Sequence, residues 1–152
     1  MSLEEQELQL KQVGQLITGS ISNVQSAVEH VMGRYSDYVI DHSVMGRIDE
    51  QVIKALFGTQ TSEKKGSLGV LETFSAATCI KAADVAVKTA RVEIYDLRVS
   101  RGMGGKGVFI ITGDVGDVTA AIEAGANYAK TSGALSSTSV IAAPHEELWK
   151  QI

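Results

Sequence analysis

The stretch Ile17-Thr18-Gly19-Ser20-Ile21-Ser22-Asn23-Val24-Gln25-Ser26-Ala27-Val28-Glu29 reads, position by position, against Ile111-Thr112-Gly113-Asp114-Val115-Gly116-Asp117-Val118-Thr119-Ala120-Ala121-Ile122-Glu123. Nearly every apolar position matches and the two Thr-Gly pairs coincide, at an offset of 94 residues. A second block follows in the same order. Ser43-Val44-Met45-Gly46-Arg47-Ile48-Asp49-Glu50-Gln51-Val52-Ile53-Lys54 reads against Ser139-Val140-Ile141-Ala142-Ala143-Pro144-His145-Glu146-Glu147-Leu148-Trp149-Lys150, at an offset of 96. Two blocks in one order are an internal repeat, not chance likeness of two helices. The second copy starts near Ser67, 44 residues before Ile111, whereas only 16 residues precede Ile17. The chain therefore reads as a partial module over 1–58, a polar linker over 59–66 and a complete module over 67–152.

The complete copy supplies the fold class. Leu68–Phe74 is an apolar, alternating strand, and Ser75 is the N-cap of an Ala-rich helix over Ala76–Ala90. Val92–Arg101 alternates as a strand. Four glycines in the six residues Gly102–Gly107 forbid helix or strand there, so that stretch is a loop. Val108–Thr112 is a buried strand, Asp114 caps a helix over Val115–Lys130, Ser136–Ala142 is a fourth strand, and His145–Ile152 begins a last helix after Pro144. The order β-α-β-β-α-β-α is α/β (α+β) in class, a ferredoxin-like split β-α-β unit repeated in tandem with an incomplete first copy. The first copy supplies a strand near Gln9–Thr18, a helix from Ile21 to Arg34, a strand near Asp37–Gly46 and a helix from Asp49 to Phe57. Half a module leaves sheet edges and apolar helix faces unpaired. The expectation is a shortened start, with a strand–helix–strand like Ser67–Arg101 encoded upstream, and an in-frame stop close to Met1 would contradict it.

Composition bounds the chemistry. The 152 residues carry a net charge of −4, 44% hydrophobic and 21% charged residues, and one proline, which is globular usage. The acidic balance argues against a general nucleic-acid binder. No apolar run nears the ~20 residues that span a bilayer, and Met1–Gln12 is too polar for a signal peptide. Cys79 is the single cysteine, so an internal disulfide is impossible, and one thiol cannot by itself hold a Cys-ligated cluster or a Cys-rich zinc site. His30, His42 and His145 sit in unrelated elements without the spacing of a helical metal site, and no catalytic constellation emerges. The loop at Gly102–Gly107 fails the phosphate-loop pattern. Ser100 and Gly107 stand where that pattern needs a glycine and a Ser or Thr, and the loop leads into a strand instead of a helix N-terminus.

Four motifs, in order and at matching spacing, carry a resemblance. Leu68-Gly69-Val70-Leu71-Glu72-Thr73, then Ala82-Ala83-Asp84-Val85-Ala86-Val87-Lys88-Thr89-Ala90-Arg91-Val92, then Gly113-Asp114-Val115-Gly116-Asp117-Val118, then Val140-Ile141 with Pro144-His145, resemble the shell-protein domain of bacterial microcompartments. The likeness covers Ser67–Ile152 and, with the repeat, points to tandem-domain, T-type members of the propanediol-utilisation class. The resemblance implies a non-enzymatic structural shell protein, localised to the microcompartment shell within the cytoplasm. Its partners would be copies of itself, as a trimeric pseudohexamer or a hexamer, other shell proteins and encapsulated enzymes, with no nucleic acid and no membrane. It implies that Ser100, Arg101, Gly102, Met103, Gly104, Gly105 and Lys106 line a central pore for small metabolites. It also implies that Lys88 is the tile-edge lysine and that Arg47 stands where the companion edge arginine belongs. Ala143 occupies the second copy's arginine position. T-type relatives hold an iron–sulfur cluster through a first-copy pore cysteine. The corresponding position here falls near Gln9, where there is no cysteine, so no cofactor is expected. A second class remains open on the residues alone, a small trimeric ferredoxin-like regulator that binds an effector at the Gly-rich loop.

Overall fold

The computed structural model describes residues 14–62, 66–99 and 104–152. Helix α1 spans Ile21–Tyr35 and opens on Ser20, whose side chain accepts from the Asn23 N–H. A 3-10 turn, Ser36–Tyr38, follows, and then the chain runs without regular structure to Asp49. Helix α2, Glu50–Leu56, is capped by the Asp49 carboxylate, which accepts from the Gln51 N–H. The complete module then reads β1 (Ser67–Thr73), α3 (Ala76–Thr89), β2 (Val92–Val99), β3 (Gly107–Gly113), α4 (Val115–Thr131), β4 (Leu135–Ile141) and α5 (Glu146–Trp149).

The four strands form one antiparallel sheet in the order β2-β3-β1-β4. That order is the ferredoxin-like arrangement expected from the split β-α-β reading. β1 is central, pairing Leu71 with Phe109 of β3 on one side and with Thr138 of β4 on the other. The period-2 alternation of β1 divides its side chains between two faces. Leu71 joins α3, α4 and β3 in the main core, with Cys79, Ala82, Ala86, Phe109, Ile111, Val118 and Ile122. Leu68 belongs to a second cluster on the opposite face with Ile110 and Trp149, against which Val70, Tyr95 and Leu148 pack. Small residues let the helices lie close to the sheet. A Cβ at Gly69 would stand 2.7 Å from Val118 and Ile122, so only glycine admits α4 there.

A bulge in β2 between Ile94 and Asp96 leaves Tyr95 outside the ladder register. The extra residue puts Ile94 and Leu97 on the helix side together, although they are three apart. Tyr95 goes to the other face, where its ring meets Trp149 edge-on at 5.4 Å. α5 thereby anchors to the sheet through this aromatic contact and through the packing of Trp149 and Leu148 with Leu68 and Ile110.

Four expectations from sequence need correction. The strand expected over Asp37–Gly46 is a 3-10 turn followed by irregular chain. A strand forms only where a neighbour accepts its backbone hydrogen bonds. The equivalent β4 has β1 beside it, but among the described residues no strand stands beside 37–46. For the same reason residues 14–18 of the expected Gln9–Thr18 strand are irregular, while 9–13 lie outside the described residues. The last helix is a single turn, Glu146–Trp149, and does not run to Ile152. Asp114 does occupy the N-cap position of α4, but its side chain makes no capping hydrogen bond.

The first copy is not separate from the sheet. Val52 and Ala55 of α2 are buried in the main core, where α2 packs on β2 and α3. The stretch between the copies is also tethered, since the Gln60 side-chain amide donates to the Tyr95 carbonyl at 3.3 Å and Gly66 bridges to Gly113.

Candidate functional site: a tethered edge lysine and the root of a glycine loop

Two constellations collect the residues singled out from sequence. The first lies along α3. Its i,i+4 geometry sets Asp84 and Lys88 one above the other on the same face. Asp84 is buried, with 1% exposure, whereas the Lys88 side chain is 42% exposed. The Lys88 ammonium lies 2.8 Å from the Asp84 carboxylate and donates to the Arg47 carbonyl at 2.6 Å. The Asp49 N–H donates to the same carboxylate at 2.8 Å, and Lys81 approaches it at 3.7 Å. Lys88 and Arg47, named separately from the two copies, are thus brought together. The link runs through the Arg47 backbone, not its guanidinium. Beside them a shallow depression of about 530 Å³ is lined by Lys88, Thr89, Ala90, Arg91 and Asp117.

The other end of α3 is held the same way. The Asp41 carboxylate accepts from the hydroxyls of Ser75 and Thr78, the latter at 2.8 Å. Ser75 is also the N-cap, accepting from the Thr78 N–H. The irregular segment 41–49 is therefore clipped to α3 at both ends, by Asp41 near its start and by Arg47 and Asp49 near its finish.

The second constellation is the exit of the glycine loop. Ser100, Arg101, Gly102 and Met103 lie outside the described residues. Gly104 and Gly105 have φ of 60° and 83°, the left-handed region that favours glycine. The Gly105 carbonyl accepts from the Ala76 N–H at 2.9 Å, which ties the loop to the start of α3. Lys106 lies 3.7 Å from the Glu72 carboxylate and 5.4 Å above the Phe74 ring. Glu72 accepts from the Ser136 hydroxyl at 2.8 Å and from Ser137 at 3.4 Å. The Ser136 hydrogen bond, with help from Lys106, holds the Glu72 carboxyl below its ordinary value, although partial burial opposes it.

Cys79 is buried against Gly107, and burial pushes its thiol up to about 12. It is a packing residue at physiological pH. His145 caps α5, its Nδ1 accepting from the Glu147 N–H at 3.3 Å. Sequence reading missed Asp84, Asp41 and Gln51. The Asp84–Lys88 spacing could have flagged the first. The other two act across long sequence separations that leave no local signature.

The family comparison now has a geometry to explain. The BMC-domain family model matches residues 67–144. The chain belongs to the bacterial microcompartment shell-protein family. The microcompartment shell protein PduT of Citrobacter freundii is 34% identical over 137 residues, which are 90% of this chain and 74% of that protein. The shell protein EutM of Escherichia coli is 39% identical over 82 residues, 54% of this chain and 82% of that protein. A crystal structure of a microcompartment protein from Desulfitobacterium hafniense superposes with a TM-score of 0.76 at 34% identity, over 87% of this chain and 73% of that one. The single-module relative aligns over little more than half of the shell-protein chain, whereas PduT aligns over nearly all of it. This is a structural component of a microcompartment shell, and it assembles with other shell proteins. No helix among the described residues is long and apolar enough to cross a membrane.

Proposed function

We propose that three copies of this chain form a six-sided tile, that such tiles pack edge to edge in a shell lying in the cytoplasm, and that loop 100–106 surrounds a small-metabolite opening at the tile centre. The observation that carries this reading is the Lys88 constellation. A buried Asp84 and the Arg47 carbonyl fix a half-exposed ammonium in place. An ammonium has three donors. Two are used within the chain, and the third remains for a backbone carbonyl of a neighbouring tile. A lysine serving only solubility needs no buried anchor. The fixed root of the glycine loop supports the second half of the reading. Gly105, Lys106 and Glu72 hold its exit, so the fold itself fixes where the loop leaves the sheet.

The role is structural, with no turnover. Cluster chemistry finds no support in these residues, since the one cysteine is a buried core thiol. Anaerobic reconstitution with iron and sulfide should leave the protein without visible charge-transfer absorbance, and a stoichiometric cluster would refute this part. Native mass spectrometry of the full chain tests the tile. The expected mass is about three times the 16.1 kDa of one chain. Electron microscopy should show discs that merge into flat sheets. Monomers holding a bound nucleotide, with neither discs nor sheets, would overturn the tile and favour an effector-binding regulator.

A further inference from the structure

We infer that segment 41–56 is a module-recognition element. The face made by α3 and β2 of the complete module takes the module end that carries Asp41 and Gln51, and it discriminates against the end that the second copy presents. The two ends are equivalent by the 96-residue offset. The structure keeps that equivalence, since Asp49 and His145, at matching positions, each cap a helix by accepting from the N–H two residues on. The ends are nevertheless used differently. α5 turns Trp149 onto its own sheet. α2 leaves the matching Ile53 39% exposed and buries Val52 and Ala55 where α3 and β2 of the other copy meet it. α2 is therefore a contact between modules.

Its polar contacts are of two kinds. Backbone groups make two of them: the Arg47 carbonyl accepts from Lys88, and the Asp49 N–H donates to Asp84. The second end has the same backbone groups at Ala143 and His145, so these contacts suit either end and choose neither. Side chains make the others. The Asp41 carboxylate accepts from Ser75 and Thr78, both buried. The Gln51 carboxamide donates to the Val92 carbonyl at 3.3 Å and accepts from the Ile94 N–H at 3.1 Å. A carboxamide offers both a donor and an acceptor to the strand edge at once.

The second end has Ser137 and Glu147 at those two positions. An ionised Glu has no donor, so in place of Gln51 it would leave the Val92 carbonyl unpaired and set a negative charge beside it. A serine in place of Asp41 brings no charge, and its hydrogen bonds with Ser75 and Thr78 would be the weaker, neutral kind. Gln151 stands for Ala55, which is 3% exposed, and would carry a polar side chain into the core. The face is matched to the first end by charge, by hydrogen-bond pattern and by polarity, and mismatched to the second on all three. In the proposed tile this preference orders the modules, because a complete module seats a first-copy end ahead of the end of another complete module. That ordering rests on the tile reading, whereas the docking itself does not.

The full chain with a protease site placed in 61–65 tests the recognition. After cleavage the two pieces should stay together in native mass spectrometry. Two synthetic peptides then compete for the face. Peptide 41–57 should displace the first-copy piece, whereas 137–152 should need about a hundredfold more, since two side-chain contacts of roughly tenfold each are missing. The 137–152 peptide with Ser137→Asp and Glu147→Gln should recover at least about tenfold, a gain that a merely structural role of Asp41 and Gln51 would not give. In the cleaved chain, Asp41→Ser with Gln51→Glu should release the first-copy piece. Ile53→Ser, on the exposed side of α2, should leave the pieces together. Equal displacement by the two unsubstituted peptides overturns the inference, and so does displacement by neither. Pieces that separate on cleavage alone overturn it too, because the covalent tether and not the face would then hold them. The native mass of the uncleaved chain reports the tile independently, so the two readings fail separately.

Discussion

Asp84 is the buried anchor that fixes both the start of α2 and the Lys88 ammonium. It is buried, and its oxygens accept from Asp49, which starts α2, and from Lys88, which faces solvent. Asp84→Ala leaves the Asp49 N–H without its acceptor and the lysine without its anchor. Loss of a hydrogen bond to a buried charged group costs about 1–3 kcal/mol. Urea denaturation should show that loss. Asp84→Asn keeps an acceptor for Asp49 and should recover part of it. A second residue-scale prediction concerns acid. Glu72 titrates below its ordinary value in the folded chain, chiefly because Ser136 donates to it. A carboxyl depressed on folding stabilises fully above its unfolded value, and that contribution is lost as pH falls through the folded value. Stability should therefore decline below about pH 4.5, the ordinary carboxyl value. Glu72→Gln should flatten that acid limb without changing the neutral plateau's shape, as followed by thermal unfolding against pH.

At the scale of elements, the informative case is β2, an edge strand of the sheet. Unpaired strand edges invite pairing with other chains. Here Gln51 of α2 closes the edge: its amide donates to the Val92 carbonyl at 3.3 Å, and its oxygen accepts from the Ile94 N–H at 3.1 Å. Gln51→Ala opens both groups and should cost about 1–2 kcal/mol for the pair of hydrogen bonds. Light scattering during refolding should rise in that variant, and unchanged scattering would show the edge to be protected by other means. The same element explains what the sequence could and could not reveal. Helices were legible because their signals are local: Ser75 caps the helix expected to follow it, although Asp114, read the same way, makes no capping hydrogen bond. The strands of the complete copy were legible within a residue because alternation bounds them, apart from the end of β2, where Ser100 and Arg101 lie outside the described residues. The strand expected over Asp37–Gly46 failed because alternation reports what a segment can do, whereas pairing needs a neighbour. The clip of Asp41 onto Ser75 and Thr78 spans 34 to 37 residues and has no sequence period to betray it.

At the scale of the whole molecule, the proposed tile assigns Lys88 to contacts between tiles, and that assignment can be tested apart from assembly within a tile. Its ammonium is tied inward to Asp84 and Arg47, yet its side chain remains 42% exposed. Lys88 is partly exposed but its partner Asp84 is buried, so Lys88→Ala removes a hydrogen bond to a buried charge and should cost up to about 1–3 kcal/mol. Asp84 retains the Asp49 N–H and has Lys81 at 3.7 Å, which moderates the loss. At the proposed tile edge the effect would be different, because one small contact would recur at every junction of a sheet. Losing about 1 kcal/mol at each of many identical contacts shifts a cooperative lattice far more than a single chain, since 1.4 kcal/mol is already tenfold for one contact. The K88A chain should therefore stay folded, with a modestly lowered thermal midpoint, and keep its three-fold particle in native mass spectrometry while forming no extended sheets by electron microscopy. K88R should restore sheets only in part, because the planar guanidinium cannot reproduce a point-like ammonium between Asp84 and the Arg47 carbonyl. Sheets of normal extent from K88A would show that the anchored lysine serves the chain's own fold and that another surface joins the tiles. Loss of the three-fold particle along with the sheets would place Lys88 inside the tile instead of at its edge.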